Sequence, residues 1–141
     1  MVATLNDRRQ PFGLVVTGEA ESWLPALETI IGPNLLTAYK VSGDKELLDV
    51  VRSRVADAAV LDDEAEWSVD AMRLLRMIRS FDAILPVVVL TRRTDRRLLQ
   101  DALKLTAFSV VVKPLALEEL LRQIRRMMDR LDEILRRDEP W

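Results

Sequence analysis

The feature that most constrains this chain is a five-fold alternation of short apolar runs with longer segments whose apolar residues recur at helical spacing. The runs are Phe12 to Val16, Leu35 to Val41, Ala58 to Leu61, Pro86 to Leu90 and Phe108 to Val112. Between them, residues three and four apart repeat: Trp23, Leu24, Leu27, Ile30 and Ile31; Leu47, Leu48, Val50 and Val51; Met72, Leu75 and Ile78; Leu98, Leu99, Ala102 and Leu103. Strands that are apolar all along their length are covered on both faces, and neighbouring parallel strands need a helical crossover. The pattern predicts an α/β fold, a doubly wound sheet of five parallel strands with about five helices in three layers.

Local chemistry punctuates the pattern. Ser22 is placed to cap the first helix, Pro25 suits its first turn and Gly32-Pro33 stops it. Ser42-Gly43-Asp44 is turn and cap chemistry leading into a second helix that runs to about Arg54. The acidic stretch from Asp62 to Glu66 reads as a loop. The last helix, about Leu117 to Arg137, carries Leu117, Leu121, Ile124, Met128, Leu131 and Leu135 at alternating spacings of four and three, widened by Leu120, Met127 and Ile134. Its first half is expected on the core, and its second half as a loosely packed end, a dimer seam or a linker. The expected organisation is a tail over 1–11, one domain over 12–128, and a helical extension and tail over 129–141.

Composition narrows the function. The 141 residues suffice for one core, and they include neither Cys nor His, which excludes disulfides, thiolate or imidazole metal sites and Ser-His-Asp catalysis. A net charge of −2 lacks the basic field that nucleic acid attracts, so nucleic acid is not an expected partner. No apolar run approaches the ~20 residues of a membrane span, so no membrane is expected and a cytoplasmic location is. Trp23 and Trp67 read as packing or loop anchors, and Trp141 lies in a polar tail. No Gly-rich loop follows the first strand, where only Gly18 stands, which argues against a flavodoxin-type ligand binder.

In open parallel sheets, functional groups gather where the strands end. The residues leaving the strands are Thr17, Gly18 and Glu19, then Asp62 and Asp63, then Thr91, then Lys113-Pro114. The stretches Ala-Asp-Ala-Ala-Val-Leu-Asp (56 to 62), Leu-Pro-Val-Val-Val-Leu-Thr (85 to 91) and Val-Val-Val-Lys-Pro-Leu (110 to 115) resemble the receiver domain of bacterial two-component response regulators. The resemblance spans about Phe12 to Met128 and implies a flavodoxin-like fold. It implies Asp62 as phosphoacceptor, Thr91 as the hydroxyl that contacts the phosphoryl group, Lys113 as the neutralising cation, and a cis peptide bond before Pro114.

Several positions depart from the family pattern. Receivers hold Mg²⁺ with an acidic pair at the end of the first strand plus the phosphoacceptor, and the matching residues are Thr17 and Gly18. Glu19, Asp63, Glu64 or Glu66 would have to supply further oxygens, so a site made of Asp62 and Glu19 is expected to bind Mg²⁺ weakly or not at all. Val110 stands where the family's switch aromatic lies. Arg92 and Arg93 follow Thr91, and they read either as a solvated loop or as counter-charges to Asp62, Asp63 or Glu64. The expectation is an atypical receiver, not an enzyme, that signals through contact with a partner protein such as a histidine kinase. A homodimer through helix four, strand five and helix five is the further partner expectation. The alternative is a fully phosphorylatable receiver in a histidine-kinase phosphorelay.

Overall fold

A computed structural model describes residues 11–18, 20–63 and 70–137. The expectations for the N-terminal tail, Glu19, Glu64, Glu66, Trp67 and Trp141 lie outside the described residues. Five strands, β1 (Phe12–Val16), β2 (Leu36–Lys40), β3 (Ala58–Asp62), β4 (Val87–Thr91) and β5 (Ser109–Val112), form one sheet in the order β2-β1-β3-β4-β5, and every pairing is parallel. Five helices alternate with them: α1 (Leu24–Ile31), α2 (Asp44–Arg52), α3 (Ala71–Phe81), α4 (Arg96–Lys104) and α5 (Leu117–Arg137). This is the flavodoxin-like, doubly wound arrangement expected from the alternation.

The chain winds outward from β1 in both directions, so right-handed crossovers put helices on opposite faces of the sheet. One core holds Leu47 and Val51 of α2, Leu74, Leu75 and Ile78 of α3, and Leu98 and Ala102 of α4. The other holds Leu24 and Leu27 of α1 and Leu120, Ile124 and Met127 of α5. Strand residues divide by parity: Val15, Ala59, Leu61, Val87 and Val89 face the first core, and Leu14, Val16, Ala58, Val60, Val88 and Leu90 the second. Two-sided burial explains why these strands show no polar alternation.

Two details correct the local reading. Ser22 does not cap α1: it belongs to a 3-10 turn, Ala20–Ser22, and Trp23 takes the cap position without a side-chain bond. The Pro in the first turn supports this start, because its missing N–H is one of the donors a helix N-terminus leaves over. Helix α2 stops at Arg52, two residues short of the expected end, and Arg54 adopts a φ of 61° as the chain turns toward β3.

Helix α5 is continuous. Its 21 residues make a rod about 31 Å long, against about 17 Å for a five-residue strand. Leu120, Ile124 and Met127 are buried, Leu131 is half-buried, and Ile134 and Leu135 are exposed. The helix therefore outruns the sheet on which its first half packs. Among the described residues no helix is long and apolar enough to cross a membrane.

The opposite end of α3 is pinned by Arg79. Its Nε donates to Leu105 O at 2.7 Å, Nη1 to Asp82 O at 3.1 Å and Nη2 to Thr106 O at 3.1 Å. Burial lowers the pKa of this guanidinium, and the charge of Asp82 opposes the shift. One side chain thus satisfies carbonyls at the ends of two helices, where intrahelical donors run out.

Candidate functional site

The strand order reverses at β1, so the chain leaves β1 toward α1 on one face and leaves β3 toward α3 on the other. The diverging exits open a crevice at the carboxyl rim of the sheet. Thr17 and Gly18 line one side of it, and Asp62 and Asp63 the other.

Asp62, the last residue of β3, is only 5% exposed. Its backbone N–H donates to Thr17 Oγ1 at 2.9 Å, and its carboxylate Oδ1 accepts from Lys113 Nζ at 2.6 Å. That separation is a short charge-assisted hydrogen bond, and Lys113 is itself mostly covered, with 15% of its side chain exposed. Lys113 reaches Asp62 because its own N–H continues the β4–β5 ladder, donating to Thr91 O at 2.8 Å. The Lys113-Pro114 peptide bond is cis.

Gly18 closes the other side. With φ at 74°, it would carry a Cβ 2.6 Å from Asp62 Cβ and 2.9 Å from Asp62 Oδ2. Any side chain at this position would press on the carboxylate and would also be strained in the left-handed region. The end of β1 thus gives Asp62 one neutral hydroxyl, already accepting a hydrogen bond, and one bare Cα.

Thr91, the fully buried last residue of β4, does not stand alone. Its hydroxyl donates to Asp63 Oδ2 at 2.9 Å and accepts the Arg93 backbone N–H at 3.0 Å. Asp63 Oδ1 accepts the N–H of Ala71, the first residue of α3, at 3.1 Å. Asp63, named in the sequence as one neighbouring carboxylate among several, proves to join two elements. Its role had no signal beyond adjacency to Asp62.

The guanidinium of Arg93 pairs within its own loop. It donates through Nε and Nη2 to Asp95 at 3.1 and 3.3 Å, and Glu64 lies outside the described residues. Two residues along one loop meet at lower entropic cost than groups on separate strands. The hydrogen bond from Arg93 holds the Asp95 carboxyl below its ordinary value, and Asp95 in return raises Arg93. A depressed carboxyl keeps this contact at neutral pH and loses it only as pH falls below the ordinary carboxylate range. Both groups are exposed, so the pair adds little stability. Arg92 is exposed as well.

A Mg²⁺ ion needs a near-octahedral set of oxygens. Of the rim carboxylates among the described residues, Asp62 gives one oxygen to the Lys113 ammonium and Asp63 gives both of its own to Ala71 and Thr91. Among the described residues no group of three or more carboxylates could hold a metal ion. The described carboxylates therefore present no ready-made oxygen cluster, and no step of the chemistry is routed through a divalent ion.

The model of the response regulator receiver domain matches residues 18–125. The chain is 29% identical over 120 residues to the response regulator MprA of Mycolicibacterium vanbaalenii, covering 85% of this chain and 52% of that protein. It is 30% identical over 86 residues to the C4-dicarboxylate transport transcriptional regulatory protein DctD of Pseudomonas aeruginosa, covering 61% of this chain and 19% of that protein. The chain thus spans about half of the first relative and about a fifth of the second. In fold it is similar to the signal receiver domain of an HD domain-containing protein from Pseudomonas fluorescens, with a TM-score of 0.75 and 22% identity over 96% of this chain and 98% of that one. The chemotaxis response regulator CheY4 of Vibrio cholerae gives a TM-score of 0.68 at 16% identity over 83% and 98%. With the sheet order, the rim position of Asp62 and the family match in agreement, the chain belongs to the response regulator receiver domains, modules of two-component signalling.

Proposed function

We propose that this chain is an atypical receiver, a signalling domain that works through protein contact, with Asp62 as candidate phosphoacceptor and Mg²⁺-dependent phosphorylation lost or weak. The observation that carries this reading is the 2.6 Å contact between Lys113 Nζ and Asp62 Oδ1, beside a first strand that ends in Thr17 and Gly18 rather than in carboxylates. Phosphoryl transfer to a carboxylate depends on charge stabilisation at the transferring oxygens. In this crevice a lysine supplies the cation and the described residues add no divalent site.

Residues 12–128 are the receiver unit in this reading, and 129–141 extend its last helix. The partner surface is α4, β5 and α5, where Leu99, Leu103 and Val112 are exposed, and Leu103 is 77% exposed. Exposed leucines on one helix face favour a protein partner over solvent. A signalling protein such as a histidine kinase, or a second copy, would meet that face.

The test is incubation of the full chain with Mg²⁺ and acetyl phosphate, followed by intact mass, with Asp62→Asn as control. Transfer would join an Asp62 oxygen to phosphorus as the acetate oxygen leaves. The reading predicts no phosphoryl adduct, or a trace one. A stoichiometric adduct that Asp62→Asn abolishes would establish the phosphorylatable receiver instead, the alternative supported by Asp62, Thr91 and Lys113 sharing one rim.

A further inference from the structure

We propose that Asp63 is a positioning residue that takes the hydroxyl of Thr91 as an internal anion, tying the starts of α3 and α4 in one arrangement without a phosphoryl group. The inference rests on the reading of Asp62, Thr91 and Lys113 as the working rim of the domain, and it adds the regulation of that rim.

A threonine hydroxyl has one proton to donate. Thr91 gives it to Asp63 Oδ2 at 2.9 Å while its oxygen accepts the Arg93 N–H at 3.0 Å. The other Asp63 oxygen accepts the Ala71 N–H at 3.1 Å. Beyond Arg93, the guanidinium binds Asp95, and Asp95 accepts the Leu98 N–H at 3.1 Å as the cap of α4. A continuous chain of polar contacts therefore runs from the first residue of α3 to the first turn of α4, and its centre is the Asp63–Thr91 bond. Thr91 is fully buried and Asp63 half-buried, so this bond is partly shielded from water, whereas the Arg93–Asp95 link is exposed and adds least.

This arrangement defines a competition. A new anion on Asp62, which pairs with Leu90, the residue before Thr91, across the β3–β4 ladder, would gain the hydroxyl only by drawing its proton from Asp63. That exchange would leave the Asp63 carboxylate without its buried donor and loosen the acceptors of Ala71 and Arg93 together. Asp63 thus opposes reorganisation of the β4–α4 loop and keeps α4, with its exposed Leu99 and Leu103, in one presentation.

Residue-resolved amide hydrogen exchange on the full chain tests the coupling in both directions. In Asp63→Ala the Ala71 amide loses its acceptor directly, and so does the Arg93 amide in Thr91→Val. Those changes would follow from any local role. The proposal predicts the crossed effects: Asp63→Ala accelerates exchange at Arg93, and Thr91→Val at Ala71, each by about tenfold relative to β1 amides that report global opening. Should one variant fail to fold, the crossed effect in the other still decides. An Arg93 amide unmoved by Asp63→Ala, or an Ala71 amide unmoved by Thr91→Val, would overturn the proposal. A phosphoryl adduct on Asp62 would overturn the reading of the previous section while leaving this exchange result to stand or fall by itself.

Discussion

Lys113→Met is expected to lower the stability of the domain by about 3 kcal/mol at neutral pH, because removing one partner of a covered ion pair leaves a desolvated charge behind. Asp62 is 5% exposed and its contact to Lys113 Nζ is 2.6 Å, so solvent compensates little of the loss. The double variant Asp62→Asn/Lys113→Met removes both charges and is expected to recover most of the stability. Urea denaturation of the parent, the two single variants and the double variant measures the coupling. Equal, additive losses would show that the pair is incidental to the crevice.

Gly13→Val is expected to prevent folding, with a loss above about 4 kcal/mol. A Cβ at Gly13 would lie 2.1 Å from the backbone oxygen of Val55 and 3.2 Å from its carbonyl carbon. Neither atom can retreat, because Asp57 clamps the approach: Gly13 N–H donates to Asp57 Oδ2 at 2.8 Å, and Asp57 N–H donates to Gly13 O at 2.7 Å. Gly43→Ala is the control, since a Cβ there meets nothing within 4 Å. Its effect should stay within about 0.5 kcal/mol, as at ordinary surface positions. Thermal melts of the two variants separate a glycine required by backbone contact from one that is tolerated.

These two glycines also mark the boundary of what the sequence makes legible. Both are followed or preceded by unremarkable neighbours, and only the path of the α2–β3 connection past β1 distinguishes them. The sheet and its helices were readable because two-sided burial writes itself into every strand as an unbroken apolar run, and every crossover into a 3.6-residue period. The meeting of Asp62 with Lys113 was readable for a related reason: parallel strands end on the same rim, so residues that leave β3 and β5 face one crevice.

Side-chain choices within the rim were not readable. Arg93 had carboxylates within reach on two loops, and the nearer one on its own loop, Asp95, won. Ser22 had the chemistry of a cap, yet a 3-10 turn absorbed it and left Trp23 at the start of α1. Asp63 is the clearest case. Adjacent to Asp62 and chemically identical to it, it turns its oxygens to the Ala71 N–H and the Thr91 hydroxyl. Thr17 likewise looked like a lost metal ligand, and its hydroxyl instead accepts the Asp62 N–H that the ladder leaves at the strand end.

In the proposed reading Lys113 serves Asp62 as counter-charge in place of a divalent ion. Titration of the full chain with Mg²⁺, followed by NMR at the amides of Gly18 and Asp62 and at the Lys113 ammonium, tests it most directly. These signals are expected to stay in place while Mg²⁺ rises through the millimolar range. A saturable shift confined to them, and abolished by Asp62→Asn, would contradict that reading.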